Sequence, residues 1–241
     1  MLRTADGVDV DAVHLPERSG GLSLSIVLAH GFTGSWRRPA VAAVARWLSA
    51  GAGVVGFDFR GHGGSGGEST VGDREVLDVD AALAWARDLG YARVVTVGFS
   101  MGGSVVVRHA ALHGGVDGVV SVSAPSRWYY RGTPAMRRVH WVVETPVGRV
   151  VAHRLLRTRV TGTGWDPVPE PPTVCAARLA PVPLLVVHGD RDAYLPLEHA
   201  HALADAAGAH GTLWVERGFG HAEGAISPAL AGRILEWVRQ A

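Results

Sequence analysis

The sequence contains no lysine and no asparagine, and all 23 of its basic residues are arginine. The absence of lysine excludes mechanisms that need its amine, namely Schiff-base chemistry, covalent attachment of pyridoxal phosphate and the Walker A phosphate loop. The 22 acidic residues almost balance the arginines, so the formal net charge is only +1. A chain without a basic excess gives no reason to expect nucleic-acid binding.

Cysteine and long apolar stretches are also scarce. The single cysteine, Cys175, cannot form an internal disulfide, which fits a reducing compartment, so we expect a cytoplasmic protein. No stretch approaches the roughly 18 uninterrupted apolar residues of a membrane span. Residues 1–7 lack the apolar segment of a signal peptide. These absences predict a soluble protein with no stable membrane span.

Apolar residues are nevertheless abundant, at 47% of the 241 residues, which is enough for a large core. They occur as short β-rich runs, each followed by a turn and usually by a helical segment. Such runs suit strands buried on both faces of a sheet, and the alternation predicts an α/β fold with a doubly wound, mostly parallel sheet. The alternating residues 8–15 suit an antiparallel edge strand. The runs are Leu24–Ala29, Val54–Phe59, Val94–Val97, Val119–Val122, Leu184–His188 and Leu213–Val215.

One region interrupts this alternation. Between Ala124 and the run at Leu184 the sequence has no clear strand, and Thr145-Pro146 resembles a helix start. We therefore expect residues 1–124 and 179–241 to form the body of one domain. Residues 125–178, called here the cap segment, are expected to form a helical insertion over the sheet.

The strongest chemical signal is Gly98-Phe99-Ser100-Met101-Gly102, which lies between a predicted strand and a predicted helix. A strand-to-helix turn this tight needs small residues on both sides of the serine, and it exposes the serine hydroxyl at the carboxyl edge of the sheet. A second match, residues 63–67 around Ser65, has no helix directly after it. Ser100 is therefore predicted to be the nucleophile, and Ser65 a loop residue.

A serine hydroxyl needs a base and an orienting acid. His221 follows the last predicted strand, and two candidate acids, Asp190 and Asp192, follow the strand before it. All these strand ends should meet at the edge that carries Ser100. There the backbone N–H groups of Phe32 and Met101 are predicted to form an oxyanion hole.

Five motifs together resemble the α/β-hydrolase fold superfamily, in particular its capped serine esterases and lipases. The motifs are residues 30–35, 57–65, 98–103, 188–196 and 220–221, in the family's order. The resemblance implies a catalytic triad of Ser100, His221 and Asp192, the acid that the family's spacing favours. It implies hydrolysis of a carboxylic ester through an acyl-enzyme, without metal or organic cofactor. From their positions, His30 and His188 are expected to brace loops by hydrogen bonding, and Asp58 and Arg60 to form a structural loop pair.

Other functions stay open on sequence alone. The same triad serves amidases, thioesterases and C–C hydrolases, and a non-catalytic ligand-binding protein could keep the same pocket. The related dehalogenases and epoxide hydrolases resemble a version of this site with an aspartate nucleophile, so the serine argues against both.

The cap segment is rich in aromatic residues and arginine. Its aromatics would either fill the interior of the cap or form an apolar acyl pocket over Ser100; the predicted pocket residues are Trp128, Tyr129, Trp141 and Trp165. Its nine arginines against three acidic residues give a charge of +6, which leaves −5 for the body. The simpler interpretation is a solvated outer face; the alternative is a weak contact with anionic head groups, or with a substrate carboxylate or phosphate. Glu223 is expected to be solvated.

Overall fold

The buried apolar runs form the strands of one seven-stranded sheet in the computed structural model, which describes residues 1–241. A separate two-stranded sheet precedes it. The strands are β1 (Leu2–Arg3) and β2 (Asp9–Val10) in the small sheet, and β3 (Ala12–Leu15), β4 (Leu24–Ala29), β5 (Gly53–Phe57), β6 (Arg93–Phe99), β7 (Gly118–Val122), β8 (Leu184–Gly189) and β9 (Gly211–Glu216) in the large one.

The large sheet has the strand order β3-β5-β4-β6-β7-β8-β9. Strand β3 pairs antiparallel with β5 at one edge, and all the other neighbours are parallel. Every residue of β4, β5, β7 and β8 is buried, as expected of strands covered on both faces. The predicted doubly wound, mostly parallel sheet is therefore confirmed. Of the edge strand predicted over residues 8–15, only Ala12–Leu15 belongs to this sheet, whereas Asp9–Val10 pairs with Leu2–Arg3.

Helices cover both faces of the sheet and create two hydrophobic cores. The helices are α1 (Pro39–Leu48), α2 (Glu75–Asp88), α3 (Met101–Leu112), α4 (Pro134–Glu144), α5 (Pro146–Leu156), α6 (Pro172–Ala176), α7 (Glu198–Ala207) and α8 (Pro228–Gln240). Helices α1 and α8 pack on one face, and α2, α3, α6 and α7 on the other. Ser227 caps the N-terminus of α8, and Leu230, Ile234, Leu235 and Val238 are buried.

The cap segment lies between β7 and β8 and contains α4, α5 and α6. Helix α4 has no fully buried residue, and α5 buries only Gly148 and Ala152. The short helix α6 differs, since Cys175 and Ala176 belong to the core beside α3 and α7. The last residues of the segment thus pack with the body, while α4 and α5 lie outside the core. No helix of the chain is both long and apolar enough to cross a bilayer.

The expected pair of Asp58 and Arg60 does not form. The Arg60 guanidinium instead lies between Asp6 and Asp78, with N···O distances of 2.7 and 2.8 Å. The Asp58 carboxylate accepts a backbone N–H bond from Trp36 at 2.7 Å. Asp58 and Arg60 are thus both bonded, but each to partners other than the other, and Arg60 takes its partners from residues distant in sequence.

Candidate active site

Ser100 occupies the sharp turn between β6 and α3. Its backbone has φ 50° and ψ −117°, a left-handed conformation that costs a non-glycine residue free energy and is held by the surrounding structure. The turn is possible because Gly98 and Gly102 have no side chain. A Cβ atom at Gly98 would lie 2.3 Å from the carbonyl oxygen of Gly102, and one at Gly102 would lie 2.5 Å from that of His30. Only glycine therefore fits two residues before and two residues after this serine.

The structure brings His221 to Ser100 from the other end of the chain. The Nε2 atom of His221 lies 3.0 Å from the Ser100 Oγ atom, and its Nδ1 atom lies 2.7 Å from Oδ2 of Asp192. When Nδ1–H donates to the carboxylate, Nε2 carries a lone pair that accepts the serine hydroxyl. The imidazole is thus oriented as a base toward Ser100.

Asp192, and not Asp190, is the acid that contacts His221. The Asp192 side chain is fully buried, and its Oδ1 atom accepts the backbone N–H groups of Tyr194 and Leu195 at 2.8 and 3.0 Å. Burial acts to raise the pKa of Asp192, but the hydrogen bond and charge of His221 and the two backbone donors outweigh it, so the pKa lies below its usual value. The exposed Asp190 instead accepts the backbone N–H of Gly218.

The two predicted oxyanion donors face the same space as Ser100. Phe32 and Met101 both line the cavity above the serine, and the Phe32 N–H makes no hydrogen bond within the protein. Met101 is the first residue of α3, where a backbone N–H lacks a helical acceptor. The loop of Phe32 is held by His30, whose Nε2 accepts the Phe59 N–H at 3.0 Å and whose Nδ1–H donates to the Gly31 carbonyl at 2.7 Å.

These hydrogen bonds require a neutral His30. Burial lowers the pKa of His30 to about 4, although its bond to Gly31 acts in the opposite direction. His188 is also fully buried, and its ring N–H donates to the Leu195 carbonyl at 2.9 Å. Both histidines brace loops next to the site. Ser65, the serine of the second matching motif, is buried in a loop, where its hydroxyl donates to the Asp58 carbonyl.

A cavity of about 730 Å³ opens above Ser100, and the cap segment forms much of its wall. Trp128, Tyr129 and Trp165 line it as predicted, and their rings pack together with centroids 5.6–5.7 Å apart. Trp141 was predicted to line it as well, and this is wrong. Its side chain is 46% exposed and lies outside the cavity.

Helix periodicity explains why Trp141 points away. Helix α4 turns its side chains at Met136, Val139 and Val143 toward the cavity, at spacings of three and four residues. Trp141 falls between these positions, on the opposite side of the helix.

The cavity also contains residues that the sequence does not assign to the site, and two of them lie close to catalytic positions. Tyr194 stacks on the His221 ring, with centroids 4.3 Å apart and 24° between the planes. Its place two residues after the acid Asp192 is the only sequence signal for it. Glu223 was expected to be solvated, but it is half-buried and lines the cavity close to Gly31. The loop after His221 folds back over the site, which a single sequence does not reveal.

The fold and this arrangement define an α/β protein with a serine, a histidine and an aspartate at the carboxyl edge of a parallel sheet. Residues 25–158 match a family model described as the alpha/beta hydrolase fold. This match covers more than half of the chain, so the protein belongs to the α/β-hydrolase fold family. No curated protein sequence matches the chain significantly.

Solved structures agree on the fold. The esterase Pf2001 of Pyrococcus furiosus is similar with a TM-score of 0.78 and 24% identity, over 99% of this chain and 89% of that one. Est1E of Butyrivibrio proteoclasticus, solved with bound ferulic acid, has a TM-score of 0.65 and 18% identity, over 100% and 96% of the two chains. The serine hydrolase XC6422 of Xanthomonas campestris, described as lidless, has a TM-score of 0.67 and 23% identity, over 99% and 92%.

Proposed function

We propose that this protein is a serine hydrolase that cleaves carboxylic esters with an apolar acyl group. The observation that carries the proposal is the continuous chain of contacts from Asp192 through His221 to Ser100, at the base of a largely apolar cavity. Membership of the α/β-hydrolase fold family and the similarity to esterase structures support the same reaction class.

The geometry suits acyl transfer in two steps. The Ser100 Oγ atom attacks the ester carbonyl carbon while its proton passes to Nε2 of His221, and Asp192 stabilises the imidazolium that forms. The tetrahedral intermediate expels the alcohol, which takes the proton from His221. A water molecule then attacks the acyl carbonyl and gives its proton to Nε2 of His221. As the bond from the acyl carbon to Ser100 Oγ breaks, His221 returns this proton to Oγ, which releases the carboxylic acid and regenerates the free Ser100 hydroxyl.

The oxyanion of each tetrahedral intermediate would lie against the N–H groups of Phe32 and Met101. One such donor lowers the barrier by about 3–4 kcal/mol where this has been measured. Ser100 and Met101 both line the cavity in which the ester carbonyl would lie.

We further propose that residues 125–178 act as a cap that binds the acyl group, on a body formed by residues 1–124 and 179–241. The support is the cavity wall: Trp128, Tyr129 and Trp165 pack together there, and α4 adds Met136 and Val139. Apolar walls of this kind favour an acyl chain over a charged one.

A fluorophosphonate probe and a series of p-nitrophenyl esters test the function. We expect the probe to label Ser100 and the wild type to hydrolyse the esters, with the rate falling at least about 10³-fold in Ser100→Ala. Peptide mapping of the labelled protein contains its own control, because Ser65 lies in the second Gly-x-Ser-x-Gly motif and should stay unlabelled. A probe that labels a reference esterase but not Ser100 would indicate a non-catalytic ligand-binding protein.

A further inference from the structure

The cap segment carries most of the exposed large apolar side chains of the molecule. Twelve such residues are exposed in the whole chain, and seven of them lie in this segment of 54 residues. On α4, on α5 and at their junction they include Trp141, Val147, Val150 and Leu155, whose exposed fractions run from 46% to 74%. Exposed apolar residues concentrated in one region mark an interaction surface more often than isolated ones do.

These side chains lie on the outer side of a tightly packed helix pair. Thr145 alone connects α4 to α5, and a Cβ at Gly148 would lie 2.3 Å from the Trp141 carbonyl oxygen. Gly148 therefore marks the inner side of α5. Val147, Val150 and Arg154 follow one another at three- and four-residue spacing and are all exposed, so they share the outer side.

The same surface has positive charge that the protein does not neutralise. The cap segment has a charge of +6, and Arg137, Arg154 and Arg157 are exposed and pair with no carboxylate. Arg137 donates only to the backbone carbonyls of Arg131 and Gly132. By contrast, the segment's own carboxylates at Glu144 and Glu170 are paired with Arg131 and Arg178.

We propose that this outer surface of α4 and α5, formed by Arg137, Trp141, Val147, Val150, Arg154, Leu155 and Arg157, docks onto an anionic lipid surface. Exposed apolar residues interspersed with arginine suit helices that lie in the plane of a bilayer interface. A symmetric contact with a second copy would oppose two surfaces that each carry the three unpaired arginines Arg137, Arg154 and Arg157, which disfavours that occupant. Each helix has 11 residues, about 16 Å, so the pair lies on the bilayer and does not cross it.

Docking would bring the cavity wall close to the lipid. The inner side of α4 lines the cavity through Met136 and Val139, directly behind the docked surface. The delivery of a lipid-borne ester to Ser100 rests on the proposed function. The docking itself does not, since it uses residues outside the catalytic site.

Vesicle sedimentation in the Ser100→Ala background separates docking from hydrolysis. We expect this protein to bind vesicles of equal parts phosphatidylglycerol and phosphatidylcholine, to bind phosphatidylcholine alone far more weakly, and to be released as salt is raised. Combining Arg137→Gln, Arg154→Gln and Arg157→Gln should weaken binding on the order of 100-fold, because each arginine near an anionic surface contributes about 1 kcal/mol.

A matched triple variant controls for net charge. Arg18→Gln, Arg46→Gln and Arg217→Gln remove three exposed, unpaired arginines from the body and should leave binding within about twofold. Val147→Ser with Val150→Ser should also weaken binding, by roughly tenfold, since each removes buried apolar contact with the lipid. The proposal is overturned if the wild-type surface does not prefer anionic vesicles, if both arginine triples weaken binding equally, or if Val147→Ser with Val150→Ser instead abolishes a dimer or a protein complex.

Discussion

The body and the cap segment treat charge in opposite ways. In the body, several charged groups are buried and fully bonded: Glu75 is completely buried and accepts five hydrogen bonds from residues 69–72, and Arg60 lies between Asp6 and Asp78. In the cap, arginines point outward beside exposed valines and Trp141. On the proposed function, we expect the body to position the reacting atoms and the cap to select what enters the cavity.

The sharpest test of this division is the acid of the proposed triad, because it should affect catalysis alone. Asp192→Asn keeps the shape of the side chain but favours the wrong tautomer of His221, so we expect kcat for ester hydrolysis to fall about 10⁴-fold. Asp190→Asn is the control, since Asp190 is exposed and bonds only to Gly218; it should change kcat less than about threefold. A similar loss in both variants would contradict the assignment of Asp192.

The second test compares an ion pair of the body with one of the cap. Asp78 is fully buried and accepts hydrogen bonds from the Arg60 guanidinium and backbone. Asp78→Asn leaves that guanidinium partly uncompensated, so we expect a loss of about 3 kcal/mol in the free energy of unfolding. Glu170 pairs with Arg178 at 2.7 Å, but both side chains are about half exposed, so Glu170→Gln should cost less than about 1 kcal/mol. Urea unfolding measures the free energy of unfolding of both variants. Equal losses would contradict the expected difference between a buried ion pair of the body and an exposed ion pair of the cap segment.

Much of the body could be predicted from sequence because its signals are local. A strand buried on both faces is a continuous apolar run, and the turn around Ser100 needs glycine at positions that the motif itself contains. The choice between Asp190 and Asp192 is not local: both lie in one turn, and only the position of His221 separates them. The partner of Arg60 is likewise 18 residues away, at Asp78.

The cap was less predictable, for a physical reason. Helix α4 has no fully buried residue, and no helix over Pro134–Glu144 is predicted from the sequence, although Met136, Val139 and Val143 recur at helical spacing. Without the helix, the direction of Trp141 could not be derived, and an aromatic residue next to pocket residues was assigned to the pocket. The composition shows that the cap segment is aromatic and basic. Only the folded structure shows whether a given residue lies on the cavity side or on the outer side of its helix.

We expect a buried histidine of the body, His109, to make the free energy of unfolding sensitive to acid. Burial lowers the pKa of His109 to about 4, although Asp80 acts in the opposite direction. Between pH 6.5 and pH 4 the unfolded chain binds a proton at His109 that the folded chain does not. The contribution of neutral His109 to the free energy of unfolding is therefore fully present above pH 6.5. It decreases as the pH falls, by up to about 1.4 kcal/mol per pH unit. His109→Phe should therefore reduce the change in the free energy of unfolding between pH 7 and pH 5 by about that slope, as measured by urea unfolding at the two pH values. His153→Phe, on the exposed side of α5, is the control, and an unchanged slope in His109→Phe would contradict the interpretation.

The two sides of α4 offer a comparison within the cap. Met136 lines the cavity and Trp141 does not. Filling the cavity with Met136→Trp should lower kcat/KM for long acyl p-nitrophenyl esters about tenfold while leaving the acetate within about twofold, because a hydrophobic pocket discriminates chain length by 1–3 kcal/mol per group. Trp141→Ala should not change chain-length preference on these soluble esters. A selectivity change in Trp141→Ala would mean that the outer side of α4 also contacts substrate.

The smallest expected effect concerns the local stability of one helix in each region, α5 in the cap segment and α8 in the body. Thr145 caps α5 by accepting the Gly148 N–H, and Ser227 caps α8 by accepting the Leu230 N–H. Replacing either with alanine should cost about 1 kcal/mol locally. Because α8 buries five residues and α5 only two, Ser227→Ala should lower the free energy of global unfolding by that amount. Thr145→Ala should instead speed hydrogen exchange of α5 amides about fivefold and leave the body's slowest amides unchanged. If Thr145→Ala lowered protection throughout the sheet, the cap and the body would unfold as one unit, and the contrast between them would be one of charge alone.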